Sequence, residues 1–207
     1  MGQVNLLPEV HGERIQQARA LFFEQGELPD GLVDPLILRS WARCRQFGLA
    51  DAGAWLEGNA MDRMALKTEQ QRNQYLLQQG RPIMEHVFEQ IRDSGSMVIL
   101  ADASGLLLET VGDPDFVGRA DRVLLSAGAS WDEIQRGTNA IGTALAEENA
   151  VAVLGSEHFL RSNGFLTCCA SPVFGPDGRL VGVLDISGDY RSFQWHTLGL
   201  VSMSSAL

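Results

Sequence analysis

The spacing of apolar residues changes at Met97, and this change constrains the fold more than any other feature of the sequence. Between residues 61 and 94 apolar side chains recur at helical intervals, whereas 97–112 and 165–189 each contain two short β-type runs around a turn. The turns are DASG at 102–105 and GPDG at 175–178, and a further β-type run covers 148–155. The sequence therefore predicts two antiparallel hairpins in an α+β fold, with helices gathered on one side of the sheet.

The N-terminal part of the chain is predicted to be helical. An amphipathic pattern covers residues 11–26, and a linker containing Gly and Pro separates it from a second helix that begins at Pro35. We therefore expect a helical N-terminal segment over 1–60 and an α+β domain over 61–207.

Composition and charge exclude several classes of protein. The chain has 207 residues, of which 45% are hydrophobic and 20% charged, so it can bury one good core. A net charge of −10 without a cluster of Lys and Arg disfavours nucleic acid as a direct partner. Three cysteines, two of them adjacent, indicate a reducing compartment. No apolar stretch approaches the ~20 residues of a membrane span, so we expect a cytoplasmic protein with no membrane partner.

Residues 136–149, RGTNAIGTALAEEN, form a helix start that is small and polar and yet leads into an apolar face. Ser130 and Glu133 fit a capping box just before it. Two interpretations of the helix start remain open. Either Thr138 or Asn139 caps a closely packed helix, which the residue types favour, or the free N–H groups and these side chains bind oxygen atoms of a ligand.

Five segments of the chain resemble, in order and spacing, the N-terminal sensor region of bacterial enhancer-binding activators that work with the alternative sigma factor sigma-54. The resemblance is to the branch of the acetoin-catabolism regulators, and it covers nearly the whole chain. The segments are SWARCRQFGL (40–49), GASWDEIQRGTNAIGTALAE (128–147), SEHF (156–159), LTCCASPVFGPDGRLVGVLDISG (166–188) and HTLGLV (196–201).

This resemblance implies a GAF-like domain, with a central antiparallel sheet, helices on one face, and a small-molecule pocket on the other face under a helix and loops. The AAA+ ATPase and helix-turn-helix parts of that family are absent from these 207 residues, and no GxxxxGK[ST] loop occurs. The last helix has no C-cap before Leu207, so we expect it to be truncated or to continue. DNA and the sigma-54 RNA polymerase would then be partners only through the absent domains.

We expect the ligand to lie between strand 166–173 and the segment 131–143. Side chains alternate along a strand, so Cys168 and Ala170 share one face, and Cys169 and Ser171 share the other. The candidate ligand-binding residues are Trp131, Thr138, Asn139, Thr143, His158, Phe159, Cys169, Ser171 and Asp185.

Several of these candidates also have a structural interpretation. His158 is as often hydrogen-bonded to backbone as it is a ligand contact. The two adjacent cysteines are more typical of small buried residues than of a redox switch, and Asp185 is more typical of a backbone-bonded carboxylate. Trp131 and Trp195 are more often core than pocket wall. No metal-ligand spacing and no catalytic pairing of Ser, His, Cys or Asp is evident.

The predicted function is therefore binding and not catalysis, without a metal or cofactor. By resemblance, the region binds a small neutral oxygenated metabolite, such as acetoin, a diol or a related alcohol, to control the ATPase part. The alternative is a GAF-like domain that senses a protein partner. Apolar stripes at 84–91 and 198–203 predict a homodimer that pairs through terminal helices.

Overall fold

The computed structural model describes residues 8–51, 60–192, 194 and 196–205. The helices are α1 (Pro8–Arg19), α2 (Pro35–Gln46), α3 (Arg63–Arg72), α4 (Gln74–Ile91), α5 (Pro114–Ala120), α6 (Glu133–Arg136), α7 (Ala140–Glu147) and α8 (His196–Ser204). The strands are β1 (Ser96–Asp102), β2 (Leu107–Gly112), β3 (Val151–Leu154), β4 (Leu166–Phe174) and β5 (Leu180–Asp189). A π-helical segment, Ala20–Gln25, continues α1.

The strands form one antiparallel sheet in the order β2-β1-β5-β4-β3. The turn of the β1–β2 hairpin contains Gly105 at φ 83°, and the turn of the β4–β5 hairpin contains Gly178 at φ 76°. Glycine adopts these angles without the steric cost that a Cβ would impose. Both predicted hairpins and the additional strand are confirmed.

One face of the sheet packs against α4 and α8, and we call it the outer face. Leu77, Met84 and Val87 of α4 and Val201 of α8 form an apolar cluster with this face. The sheet contributes Val98, Leu100, Cys169, Val173, Leu184 and Ile186. The two helices are therefore fixed to the sheet by hydrophobic burial.

Helix α4 runs through Gly80 and Pro82, where the sequence predicts a division or a kink. It is not divided there, and the break falls earlier, at Asn73 between α3 and α4. Gly80 packs closely on the sheet, since a Cβ at this position would lie 2.6 Å from Leu100 Cδ2 and the Leu100 side chain would have to shift. No helix among the described residues is long and apolar enough to span a membrane.

The opposite face of the sheet, which we call the inner face, is covered by α2, α5, α6, α7 and the loops between them. Buried residues of β1, β3, β4 and β5 join these helices in one core. The α+β fold is confirmed, but helices cover both faces of the sheet. The expectation that helices gather on one side is wrong, because α4 and α8 pack on the outer face while α5 and α7 pack on the inner face.

The N-terminal helices belong to the same core as the inner face. Ile15, Phe22, Ile37, Trp41 and Cys44 are almost completely buried in it. A domain boundary near residue 60 stays a prediction, since the two parts of the chain share this core.

Candidate functional site

The helix start at Asn139 is capped from within the protein. Asn139 Oδ1 accepts the Gly142 N–H at 2.9 Å, and Asn139 Nδ2 donates to two carbonyl oxygens of the preceding residues at 2.8 and 3.0 Å. Thr138 Oγ1 lies 2.6 Å from Ser40 Oγ of α2. Both side chains are buried, and these contacts are the ones that the capping interpretation expects. A ligand contact at Thr138 or Asn139 stays a prediction.

A buried carboxylate, Glu133, joins α6, α7 and α2. Glu133 Oε1 lies 2.6 Å from Ser40 Oγ and 2.8 Å from Thr143 Oγ1, and it accepts Arg43 Nη2 at 2.9 Å. Glu133 Oε2 accepts Arg43 Nε at 2.7 Å. Such two-point pairing of a carboxylate with a guanidinium fixes orientation as well as adding energy. The candidate residue Thr143 thus has a partner inside the protein.

The capping box expected at Ser130 and Glu133 is not formed. Asp132 caps α6 instead, because its Oδ1 accepts the Gln135 N–H at 2.7 Å and its Oδ2 accepts the Ser130 hydroxyl at 3.0 Å. Glu133 is directed at α2, where it finds a cation and two hydroxyl groups. A carboxylate this buried is stabilised better by that set than by one backbone N–H.

The C-terminal end of α7 is also bound to α2. Arg39 Nη2 lies 2.7 Å from Glu147 Oε2, and Arg43 Nη1 lies 2.5 Å from Glu147 Oε1. The hydrogen bond from Arg39, followed by that from Arg43, lowers the pKa of Glu147. Helix α7 is therefore connected to α2 at both ends.

The SEHF segment is the docking point of the N-terminal helices. Arg19 of α1 donates to the carbonyl oxygens of residues 156, 158 and 159 at 2.7–3.0 Å, and to Asp51 Oδ2 at 3.1 Å. Trp41 Nε1 of α2 donates to the Glu157 carbonyl at 2.7 Å. One buried guanidinium and one indole thus satisfy the backbone of this segment.

His158 and Phe159 both lie in the interior. His158 Nδ1 is 2.9 Å from the Gly155 carbonyl, and its Nε2 has no partner among the described residues. Burial lowers the pKa of His158 to about 4, so the ring is neutral at pH 7. Phe159 packs edge-on against Phe23 with ring centroids 5.0 Å apart. It also occupies the space beside Gly137, where a Cβ would lie 2.5 Å from Phe159 Cβ.

Three polar side chains lie together in the centre of the inner face, and we call them the inner-face cluster: Cys168, Asp185 and Ser187. The strand register places Asp185 between Ile99 and Ala170, and places Ser187 opposite Cys168. Ser187 Oγ lies 2.6 Å from Asp185 Oδ2 and 3.1 Å from Cys168 Sγ. Helix α7 packs against both strands that carry the cluster.

Asp185 is fully buried and is not neutralised by a cation. No salt bridge of the described residues includes it, and its Oδ1 has no hydrogen-bond partner among them. Burial raises the pKa of Asp185 to about 7, while the Ser187 hydrogen bond acts in the opposite direction. Burial likewise raises the pKa of the Cys168 thiol well above its ordinary value.

Cys169 and Ser171 lie on the outer face, away from Thr138, Asn139 and the inner-face cluster. Cys169 packs with the α4–α8 layer and borders a cavity of about 120 Å³, and the Ser171 hydroxyl accepts the Ser205 hydroxyl at 2.8 Å. The predicted site that combines them with the segment 131–143 is therefore not formed. The alternation along β4 is as expected, but Cys168 and not Cys169 is the cysteine that faces α7.

Of the two tryptophans that could line a pocket or belong to the core, the structure describes Trp131. Trp131 is a buried core residue whose Nε1 donates to the Leu124 carbonyl at 2.8 Å. Trp195 lies outside the described residues. Within the described parts of the chain, no three His, Cys, Asp or Glu residues are arranged to hold a metal ion.

Sequence reasoning missed the partners that determine this geometry. Glu133 lies about ninety residues after its partners Ser40 and Arg43 in the sequence, and no local pattern pairs it with them. Cys168 and Ser187 become neighbours of Asp185 only through the register of β4 and β5. A polar residue inside an apolar strand, as in VLDIS, was the one signal available.

Comparison with known proteins gives consistent results over nearly the whole chain. Residues 12–206 match the family description "MimR, N-terminal domain". The acetoin dehydrogenase operon transcriptional activator AcoR of Bacillus subtilis is 32% identical over 183 residues, which cover 87% of this chain and 30% of that protein. The propane 2-monooxygenase operon transcriptional activator MimR of Mycolicibacterium goodii is 32% identical over 174 residues, covering 83% of this chain and 28% of that protein.

A solved structure shows the same fold. The Escherichia coli DhaR(N)–DhaL complex matches with a TM-score of 0.78 at 23% identity, over 83% of this chain and 58% of that chain. The present chain spans about a third of the length of the two curated relatives. The family match covers most of the chain, and both relatives are transcriptional activators. The chain therefore belongs to the family of the MimR N-terminal domain, a sensor region of transcriptional activators.

Proposed function

We propose that this chain is the effector-sensing region of a sigma-54-dependent transcriptional activator in the cytoplasm. It binds a small neutral oxygenated metabolite, such as acetoin, a diol or a related alcohol, and thereby controls an ATPase part of the full-length protein. Its task is binding and not catalysis, and it works as a homodimer. DNA and RNA polymerase are contacted by parts of the protein outside this chain. The acetoin operon in the name of one relative supports an effector of this size and polarity, and the propane operon in the name of another supports the size.

The observation that carries this proposal is the inner-face cluster beneath α7. The surrounding inner face is apolar, and the cluster adds a hydroxyl group, a thiol and a carboxyl group at its centre. Sites for small neutral molecules combine these two features, an apolar enclosure and a few convergent polar groups. Among the described residues, no charged side chain is hydrogen-bonded to the cluster apart from Asp185 itself, which favours a neutral ligand.

The size of the ligand limits the affinity. Acetoin has about six non-hydrogen atoms, so even the highest ligand efficiency gives at most ~9 kcal/mol of binding free energy. A polar ligand that must also displace packed side chains falls well short of this limit. We expect dissociation constants in the high-micromolar to millimolar range.

A panel of small molecules in thermal unfolding tests the proposal. The panel contains acetoin, 2,3-butanediol, 2-propanol, acetone and glycerol, with acetate as an anionic control. A ligand at ten times its dissociation constant stabilises the protein by about 1.4 kcal/mol, which raises Tm by roughly 3–6 °C for a chain of this size. Acetate should give no shift. The proposal fails if no neutral compound raises Tm at 50 mM.

The alternative is that the region senses a protein. It is supported by the Escherichia coli protein of the same fold, which was solved in a complex with DhaL. Under this alternative the panel has no effect, and a DhaL-type protein from the same organism binds saturably in calorimetry. A stabilising metabolite without such binding would exclude it.

A further inference from the structure

Asp185 is a buried acid, and only one of its two carboxyl oxygens has a hydrogen-bond partner among the described residues. It lies in the middle of β5, is 0% exposed, and places Oδ2 2.6 Å from the Ser187 hydroxyl. Its Oδ1 has no partner among the described residues. A buried polar atom left without a hydrogen bond costs about 1–3 kcal/mol. Burial of the Asp185 side chain does not offset this cost, because a leucine at this position would be buried without leaving a polar atom unpaired.

The surroundings of Asp185 contain no charge that would hold it ionised. Its neighbours across the sheet are Ile99 and Ala170, and Cys168 is the titratable group of the cluster beside it. The facing residues of α7 that are buried in this core are Ala140, Ile141 and Ala144. Of the acids on the helices packed nearby, Glu133 is paired with Arg43, and Glu147 with Arg39 and Arg43. Asp115 of α5 is exposed to solvent. On the α5 side, Arg119 is paired with Asp189.

The hydrogen bonds of the cluster indicate which oxygen carries the proton. Ser187 has one hydroxyl hydrogen, which can go either to Asp185 Oδ2 or to Cys168 Sγ. When the Cys168 thiol donates to Ser187 Oγ, the Ser187 hydroxyl donates to Oδ2, and Oδ2 acts as the acceptor oxygen of the acid. The proton of the uncharged form then lies on Oδ1, the oxygen without a partner. Oδ1–H is a hydrogen-bond donor, and an acceptor from outside the fold would satisfy it.

We propose that Asp185 binds the effector in its uncharged form, by donating Oδ1–H to a carbonyl or hydroxyl oxygen of a small ligand held between the inner face and α7. This inference rests on the proposed function, because it presupposes a small-molecule effector. Carboxylates and other anions are excluded, since an anion here would be buried beside an acid without a compensating cation. Oδ1 is covered in this structure, so α7 or the adjoining loops must shift to admit the ligand.

The protonation state of Asp185 makes the proposal testable with two probes. Acetone can only accept a hydrogen bond, whereas 2-propanol can both accept and donate. Because the pKa of Asp185 is about 7, its uncharged fraction falls about tenfold between pH 6 and pH 8. The dissociation constant for acetone should therefore rise about tenfold over this range. The dissociation constant for 2-propanol should change less than threefold, because the hydroxyl group of 2-propanol can donate to the ionised carboxylate.

The measurement is a protein-observed NMR titration of the 207-residue chain with acetone and 2-propanol at both pH values. Asp185→Asn supplies an amide donor at either pH, so acetone binding should persist at pH 8. Asp185→Leu removes every hydrogen bond and should weaken both probes at least tenfold. Ile186→Val, a change on the outer face of the same strand, is the matched control and should leave both dissociation constants unchanged.

The outcomes separate this inference from the proposed function. If Asp185→Leu binds both probes within twofold of wild type, the inference is overturned and the proposed function stands. If wild type binds neither probe, the inference is likewise overturned, and the panel decides the proposed function separately. Should Asp185→Leu fail to fold, the pH dependence of acetone binding in wild type and its absence in Asp185→Asn decide the matter alone.

Discussion

Glu133→Gln should destabilise the protein more than the same change at a surface carboxylate such as Glu109. Glu133 is 5% exposed and has four short contacts: Ser40 at 2.6 Å, Thr143 at 2.8 Å, and Arg43 at 2.7 and 2.9 Å. Glutamine keeps one acceptor oxygen for the hydroxyl groups but turns an NH2 group towards Arg43. The two charge-assisted bonds are worth about 1.5 kcal/mol each at the lower limit, which suits Arg43 because its side chain is 29% exposed. The expected loss is about 3 kcal/mol.

Urea unfolding monitored by tryptophan fluorescence measures this loss, and a thermal scan should show Tm lowered by roughly 6–12 °C. Glu109→Gln is the matched control, because Glu109 pairs with Arg81 at 2.8 Å on the surface, where the two side chains are 32% and 50% exposed. Such exposed pairs contribute about 0–1 kcal/mol. Equal effects of the two substitutions would refute the reasoning that burial of the Glu133 network stabilises the contact between α2 and α7.

Two further substitutions, at Gly137 and Asp185, and the oligomeric state of the chain give additional tests. Gly137→Ala combines φ 65° with a Cβ 2.5 Å from Phe159 Cβ, so it should lower the free energy of unfolding in urea by over ~2 kcal/mol. Gly178→Ala is the control, because Gly178 has φ 76° but open space around a Cβ, and it should lower the free energy by about 1 kcal/mol. Asp185→Leu should become increasingly more stable than wild type between about pH 4 and pH 7, by up to about 4 kcal/mol. The reason is that the pKa of Asp185 is raised to about 7, so the unfolded chain loses its proton first; a constant difference across this range in urea titrations would contradict this. Light scattering at tens of micromolar should give the mass of a dimer, and a monomer mass would count against pairing through the terminal helices.

The parts of the fold that were predictable depend on local chemistry. The turns DASG and GPDG each contain a glycine at positive φ, and the β-type runs beside them have few alternatives. Of the division or kink predicted at Gly80 and Pro82, the division is not found, because packing of Gly80 against Leu100 competes there with local propensity. The return of α1 and α2 over the inner face depends on contacts between residues more than ninety positions apart. Periodicity carries no information about such contacts.

For the candidate site, the sequence predicts only which residues of a strand share one face of the sheet. The sequence separates Cys168 from Cys169 by face but does not say which face α7 covers. The expectation that Cys169 and Ser171 face the segment 131–143 is therefore wrong, and ligand binding by these two residues stays a prediction. Asp185 was a candidate because a carboxylate is unusual in an apolar strand. Its neighbours and its unpartnered oxygen depend on the register of β4 and β5, which one sequence does not reveal.

The segments that carry the family resemblance are, in this structure, contact partners of one another. Ser40 and Arg43 of the first segment bind Glu133 and Thr138 of the second, and Trp41 binds the backbone of the third. Their residue types are therefore explained by the docking of the N-terminal helices, without a ligand. The polar cluster that we propose for the effector lies on β4 and β5, underneath α7, and belongs to the fourth of these segments. Because α7 is bound to α2 at both ends, any displacement of α7 that admits a ligand also changes the contacts with α2. Ligand binding and N-terminal docking must then affect each other's free energy to the same extent.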